Sequence, residues 1–197
     1  MPAASSKQNP VPHRTLDRAL VWLRTHAVLR PDRWAGRLAA VETQAGDWLA
    51  SARHTSRSAQ LMRALGAPHE AVTQFDVARE QLHQLLASVA SLDAALELAE
   101  VARHLGRLLA EMGDHELASE RTREAIEALR QQSELREDMW VQTGVPLLAE
   151  WALAEAKLAR ADHAIAPLQT QLQALKSATG VHAAGSMALV QLALGRC

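Results

Sequence analysis

The chain has 197 residues, 48% of them hydrophobic and 22% charged, with a formal net charge of -1, a single cysteine and no tyrosine. One cysteine, Cys197, excludes an internal disulfide framework and any multi-cysteine zinc site. Abundant alanine and leucine, one phenylalanine and no β-branched runs point to an all-α fold, and no apolar stretch approaches the ~20 residues that span a bilayer.

The opening MPAASSKQNP has no apolar core of the signal-peptide kind, so residues 1–12 are expected to be a flexible tail on a cytoplasmic protein. Residues 1–65 hold ten Lys or Arg against four acids, a surplus of six, whereas the remainder has eleven basic against eighteen acidic residues. Within this basic front, Leu16, Ala19, Leu20, Leu23 and Ala27 form one helical stripe, which Pro31-Asp32 interrupts. A second helix then carries Trp34, Leu38 and Val41 on its inner face, and residues 13–46 read as a basic helical cap. Gly46-Asp47 kinks or ends that helix, so 47–65, with Trp48, Leu49 and Ala52 toward Leu61, is either its continuation or a new element.

The clearest signal lies between Leu98 and Leu129. Ala102, Leu105, Gly106 and Leu109 recur at three- and four-residue spacing on one helical face. Gly113-Asp114 closes the helix and opens another, because glycine accepts the left-handed conformation of a helix end and aspartate caps the next amides. Ala118 and Ala125 then stand seven residues apart, two small side chains on one face of the second helix.

This stretch resembles a tetratricopeptide repeat in its small mid-helix residue (Gly106), its Gly-Asp turn and its two alanines (Ala118, Ala125). It departs from that pattern at Ala102 and Leu109, which stand at two large aromatic positions, at Thr122 between the alanines, and at Arg130, where the closing proline is absent. Related features recur along the chain. The small residue returns as Ala59, Gly106, Ala154 and Ala188, the turn as Gly66-Ala67-Pro68, Gly113-Asp114, Ala161-Asp162 and Gly195, and the alanine as Ala71, Ala118 and Ala166. Its partner is Ala78, Ala125 and then Gln173. The small residues are 47, 48 and 34 apart, so the first units are longer than the family's usual period of about 34. Such extended units resemble the repeat domains of bacterial signal-transduction and regulatory proteins. In the last units, a helix is expected to begin near Pro146 after a separate turn at 138–144, and Thr179-Gly180 to end the next one.

The resemblance implies a right-handed array of antiparallel helical hairpins, about eight helices, with repeats over 47–197. It further implies a non-catalytic adaptor or regulatory module that binds a protein segment in a groove. Carried over by position, that groove is lined by Arg53, Ser56, Gln60 and Arg63, then Glu100, Arg103, Arg107 and Glu111. Leu148, Trp151, Glu155 and Leu158 follow, and His182, Leu189 and Leu192 come last, so the groove is expected to pass from basic to apolar. The apolar end either meets a partner or packs against the chain's own helix or a second copy.

Other chemistries are weighed against this. His69, His115 and His163 occupy similar places at three turns, but no two histidines stand three or four apart, so no metal and no cofactor are expected. The chain has no Gly-x-Ser-x-Gly elbow and no phosphate-binding glycine loop. Arg14, Arg18, Arg24, Arg30, Arg33 and Arg37, interleaved with Trp22 and Trp34, make nucleic-acid contact the alternative, although Trp34 belongs to an apolar stripe. Finally, residues 181–194 have hardly any polar face, and Met187, Leu189, Val190, Leu192 and Leu194 make a homodimer through that helix the expectation.

Overall fold

A computed structural model describes residues 47–177 and 181–197. The expected tail and basic cap, with Arg14, Arg18, Arg24, Arg30, Arg33 and Arg37, lie outside the described residues, and so does the Thr179-Gly180 helix end. Among the described residues there are seven helices and no strand.

Helix α1 runs Trp48–Ala64 and is capped by Asp47, whose side chain accepts the Ala50 amide at 3.1 Å. Gly66 (φ +79°) turns the chain, and Pro68 opens α2, Pro68–Ser88, where its missing N–H costs nothing. Ser91 caps α3, Leu92–Glu111, by accepting from Ala94 N at 3.2 Å. Gly113 (φ +89°) then reverses direction, and Asp114 accepts from Leu117 N at 3.2 Å to open α4, His115–Arg130.

The fifth helix, α5, is continuous over residues 137–157: an α-helical turn at Glu137–Met139, a π-helical stretch at Trp140–Gly144, and an α-helix at Val145–Lys157. The expected separate turn before Pro146 is therefore not there. A π turn is wider than an α turn, which accommodates a proline ring that has no N–H to give and would press on the carbonyl four residues back. Trp140 fills the space so created, its Nε1 donating to Gln171 Oε1 at 2.8 Å and Arg130 lying 4.9 Å over its ring. Gly144 is obligatory beneath it, because a Cβ there would stand 2.1 Å from the ring. Helices α6, Asp162–Ser177, and α7, Val181–Leu194, complete the chain.

Each helix packs on the next, and α1, α3, α5 and α7 also touch in sequence, α1 on α3, α3 on α5, α5 on α7. These four begin at residues 48, 92, 137 and 181, that is 44, 45 and 44 apart, and α2, α4 and α6 begin 47 apart. A spacing of 34 in the last unit therefore does not describe its helices. Part of the difference comes from α7, which at 14 residues is shorter than α1 with 17 and α3 with 20, and the rest from a slip of two residues in the third unit. The residue in left-handed conformation there is Ala159 (φ +56°), the counterpart of Gly66 and Gly113, rather than a residue of the Ala161-Asp162 pair.

Counting from that residue restores a common pattern. Seven positions earlier stand Ala59, Gly106 and Ala152, all buried, so the third small residue is Ala152 and not Ala154. Five positions later stand Ala71, Ala118 and Ala164, fully or almost fully buried, whereas Ala166 is exposed. Twelve positions later stand Ala78, Ala125 and Gln171, the last occupied by Trp140 rather than by a close helix, while Gln173 is exposed. The close approach is tightest at Gly106, where an added Cβ would meet Thr122 Oγ1 at 2.8 Å. Phe75, Leu82, Leu98, Leu105 and Leu129 fill the space around the alanines.

Candidate functional site

The odd-numbered helices bring four of the expected groove arginines to one surface, and every one of them is paired. Arg53 Nε donates to Glu97 Oε2 at 2.9 Å and Arg63 to Glu111 at 2.5 Å, both joining α1 to α3. Arg107 Nε donates to Glu150 Oε1 at 2.6 Å, joining α3 to α5, and Arg103 pairs with Glu100 on its own helix at 2.5 Å. The expected basic character is thus cancelled by four carboxylates. Burial pushes the Glu150 carboxyl above its ordinary range, against the pull of Arg107. A side chain with a raised carboxyl value stabilises most below the unfolded value and loses that contribution as pH rises.

Where α3, α4 and α5 meet, this surface opens into a cleft of about 310 Å³. Its walls are small and apolar, Gly106, Ala110, Ala118, Leu153 and Ala154, and its rim carries Arg107, Glu111, Glu150, Lys157 and His115. Gly106 and Ala118 are small because the helices approach closely, and the same shortage of side chain leaves room beside α5. Leu153 occupies the position that, with the two-residue slip removed, corresponds to Arg107 in the preceding unit.

The slip also displaces the other groove residues expected from α5. Leu148 is core and Glu155 is buried, as is Ser56 on α1. Trp151 is half-buried and shares a second hollow with Glu155 of its own helix, Glu116, Ser119 and Arg123 of α4, Arg160 of the turn and His163 of α6. It does not meet Arg107 in the cleft, which Arg103 does not line either, and half-buried Leu158 lies outside both hollows. Gln60 is exposed as expected.

Around Glu155 the chain builds a polar hub that sequence reasoning missed. Ser119 Oγ of α4 donates to Oε1 at 2.5 Å, Arg160 of the turn donates to the same oxygen at 2.9 Å, and His163 Nδ1 of α6 stands 2.8 Å from Oε2. Burial raises the Glu155 carboxyl, but the hydrogen bonds from Ser119, His163 and Arg160 outweigh it and hold it below its ordinary value. The hydroxyl of Ser119 is spent on the carboxylate rather than on the imidazole, so the trio is not ordered as a nucleophile, base and orienting acid.

Histidines His69, His115 and His163 sit in the first turns of α2, α4 and α6, far apart along the array. Among the described residues, no three His, Cys, Asp or Glu groups converge as metal ligands, and no helix is long and apolar enough to cross a membrane. His104 stacks on Phe75 with ring centroids 6.0 Å apart, and burial, then Arg103, depresses its imidazole value. On α7, Leu189 and Leu192 are 41% and 52% exposed beside exposed Ala184, Gly185 and Ala188. Cys197 is half-buried, its Sγ 3.8 Å from the Ala152 carbonyl, and burial pushes its thiol up.

Compared with known proteins, the chain matches no family model and no curated protein.

Proposed function

We propose that the chain is a tetratricopeptide-like, right-handed array of antiparallel helical hairpins that acts as a non-catalytic adaptor or regulatory module, binding a segment of a partner protein along α1, α3 and α5. The observation that carries this reading is the seam of ion pairs from Arg53, Arg63 and Arg107 to the following odd helix, ending at an open cleft. Equivalent positions of successive units then form one extended surface, which is how stacked helical units bind a segment of another protein. Helix starts 44 to 45 residues apart along the odd helices support the same arrangement.

Peptide-display selection against the full chain tests it. The expected result is an enriched motif whose binding is lost in Leu153→Glu, on the cleft wall, and retained in Glu120→Arg, an exposed position outside the cleft. Failure to enrich any motif, or equal loss in both variants, overturns the reading.

Self-pairing through α7 belongs to the same proposal. Leu189 and Leu192 are its most exposed large hydrophobic side chains, and the helix carries no Asp, Glu, Lys or Arg, so two copies of this face meet without repulsion between such charges. Ala184, Gly185 and Ala188 on the same side let the two backbones approach.

A further inference from the structure

The cleft between α3, α4 and α5 has a charge pattern that is nearly, but not wholly, balanced. Arg107 is committed to Glu150 and Glu111 to Arg63. Lys157, in the last turn of α5, is exposed on the rim and has no ion-pair partner among the described residues. An occupant that enters the cleft therefore meets apolar walls and, at one edge, a single uncompensated ammonium. The walls favour an aliphatic or aromatic side chain, since the lining is almost free of polar groups below the rim.

One lining atom distinguishes a peptide from a plain hydrocarbon. Glu150 Oε1 accepts from Arg107, but Oε2 is buried without a hydrogen-bond partner. A buried acceptor left unpaired is costly, and a small rotation of the side chain would turn it toward the cleft, where a backbone N–H of an incoming segment would satisfy it. A volume of about 310 Å³ is at the lower limit of ligand sites and suits one large side chain with its adjoining backbone.

We propose that this cleft is an anchor pocket for a leucine- or phenylalanine-sized side chain of a partner segment that carries a carboxylate next to the anchor, the carboxylate pairing with Lys157 and a segment amide donating to Glu150. The proposal rests on the segment-binding reading above and specifies its chemistry. Ala110 and Ala154 form the walls against which the anchor packs, and the ion pair of Arg107 with Glu150 fences one side.

The test uses the full chain and three dipeptides blocked at both ends, acetyl-leucyl-aspartate, acetyl-leucyl-lysine and acetyl-seryl-aspartate, each amidated at its C-terminus, titrated while the methyl resonances of Ala110 and Ala154 are followed. Saturable shifts are expected with acetyl-leucyl-aspartate, and binding at least tenfold weaker with the other two. Lys157→Glu should invert the order of the aspartate and lysine probes, and Ala110→Leu, which fills the cleft, should abolish the shifts. Because Lys157 is exposed, its variant keeps the proposal falsifiable even if Ala110→Leu fails to fold. Equal shifts from all three probes, absent shifts, or an unchanged order in Lys157→Glu overturn the pocket. A display motif that survives in Ala110→Leu would refute the pocket while leaving segment binding in place. Binding of acetyl-leucyl-aspartate without any display motif would do the reverse.

Discussion

Glu155 ties three elements together with one carboxylate, and its consequence is a pH dependence of known sign. Its folded value lies below the ordinary one of 4.5, so its contribution is complete above that pH and is lost as the pH falls through the lower folded value. Glu155→Gln should cost about 1–3 kcal/mol at neutral pH, since a buried, multiply bonded charge is removed, and should flatten the acid limb of a stability profile below pH 4.5. An acid limb identical to that of the parent protein would contradict this account. Ala118 tests packing in the same way. Its methyl lies 2% exposed beside Gly106 and Thr122, so Ala118→Arg should destabilise by several kcal/mol, whereas Glu120→Arg, on the exposed side of the same helix, should cost under about 0.5 kcal/mol. Thermal melts of the two variants decide it, and equal midpoints would refute the packing register.

Turns rather than helices distinguish the third unit from the first two. Gly66 and Gly113 occupy the left-handed region without strain, but Ala159 adopts φ +56° with a Cβ that crowds its own backbone. Replacing it should remove that strain at the cost of a more flexible unfolded chain, so Ala159→Gly is expected to gain about 0.5–1 kcal/mol in denaturant unfolding. A loss of stability would mean that the turn is held by more than the hydrogen bond from Arg160 N to Glu155 O at 2.9 Å. Helix α5 shows the complementary case, where a π stretch and Gly144 make room for Trp140 and carry the helix through Pro146.

Two expectations concern the chain as a unit. Pairing through α7 predicts a dimer in sedimentation under reducing conditions, so that Cys197 does not mimic it, and Leu189→Glu with Leu192→Glu should return the protein to monomer. A parent protein that stays monomeric at high micromolar concentration would refute the pairing. The surplus of positive charge in the first 65 residues motivates the other. Arg53 and Arg63 are neutralised by Glu97 and Glu111, which leaves nucleic-acid contact to exposed Arg57 and the arginines of the first 46 residues. If that contact exists, changing Arg14, Arg18, Arg24 and Arg30 to Gln should abolish it and flatten its salt dependence, and a parent protein with no mobility shift at low salt would close the question.

The all-α class, the Gly-Asp turn at 113–114, the cap at Asp114 and the buried alanine pairs of α2 and α4 were all legible from residue types and spacing, because each depends on contacts within a few residues or on a helical period. The third unit was not. Alanine carries no mark of a left-handed turn, so residue types point to the Ala161-Asp162 pair instead of Ala159, and to Trp151, Leu158 and Glu155 in line with Arg107, although none of the three lines the cleft that Arg107 borders. Nor does composition announce the cancellation of Arg53, Arg63 and Arg107, whose carboxylate partners lie 43 to 48 residues along the chain. Local chemistry is written in neighbouring residues, but charge balance and open volume depend on which helices are brought side by side, and a two-residue offset in one turn is enough to change both.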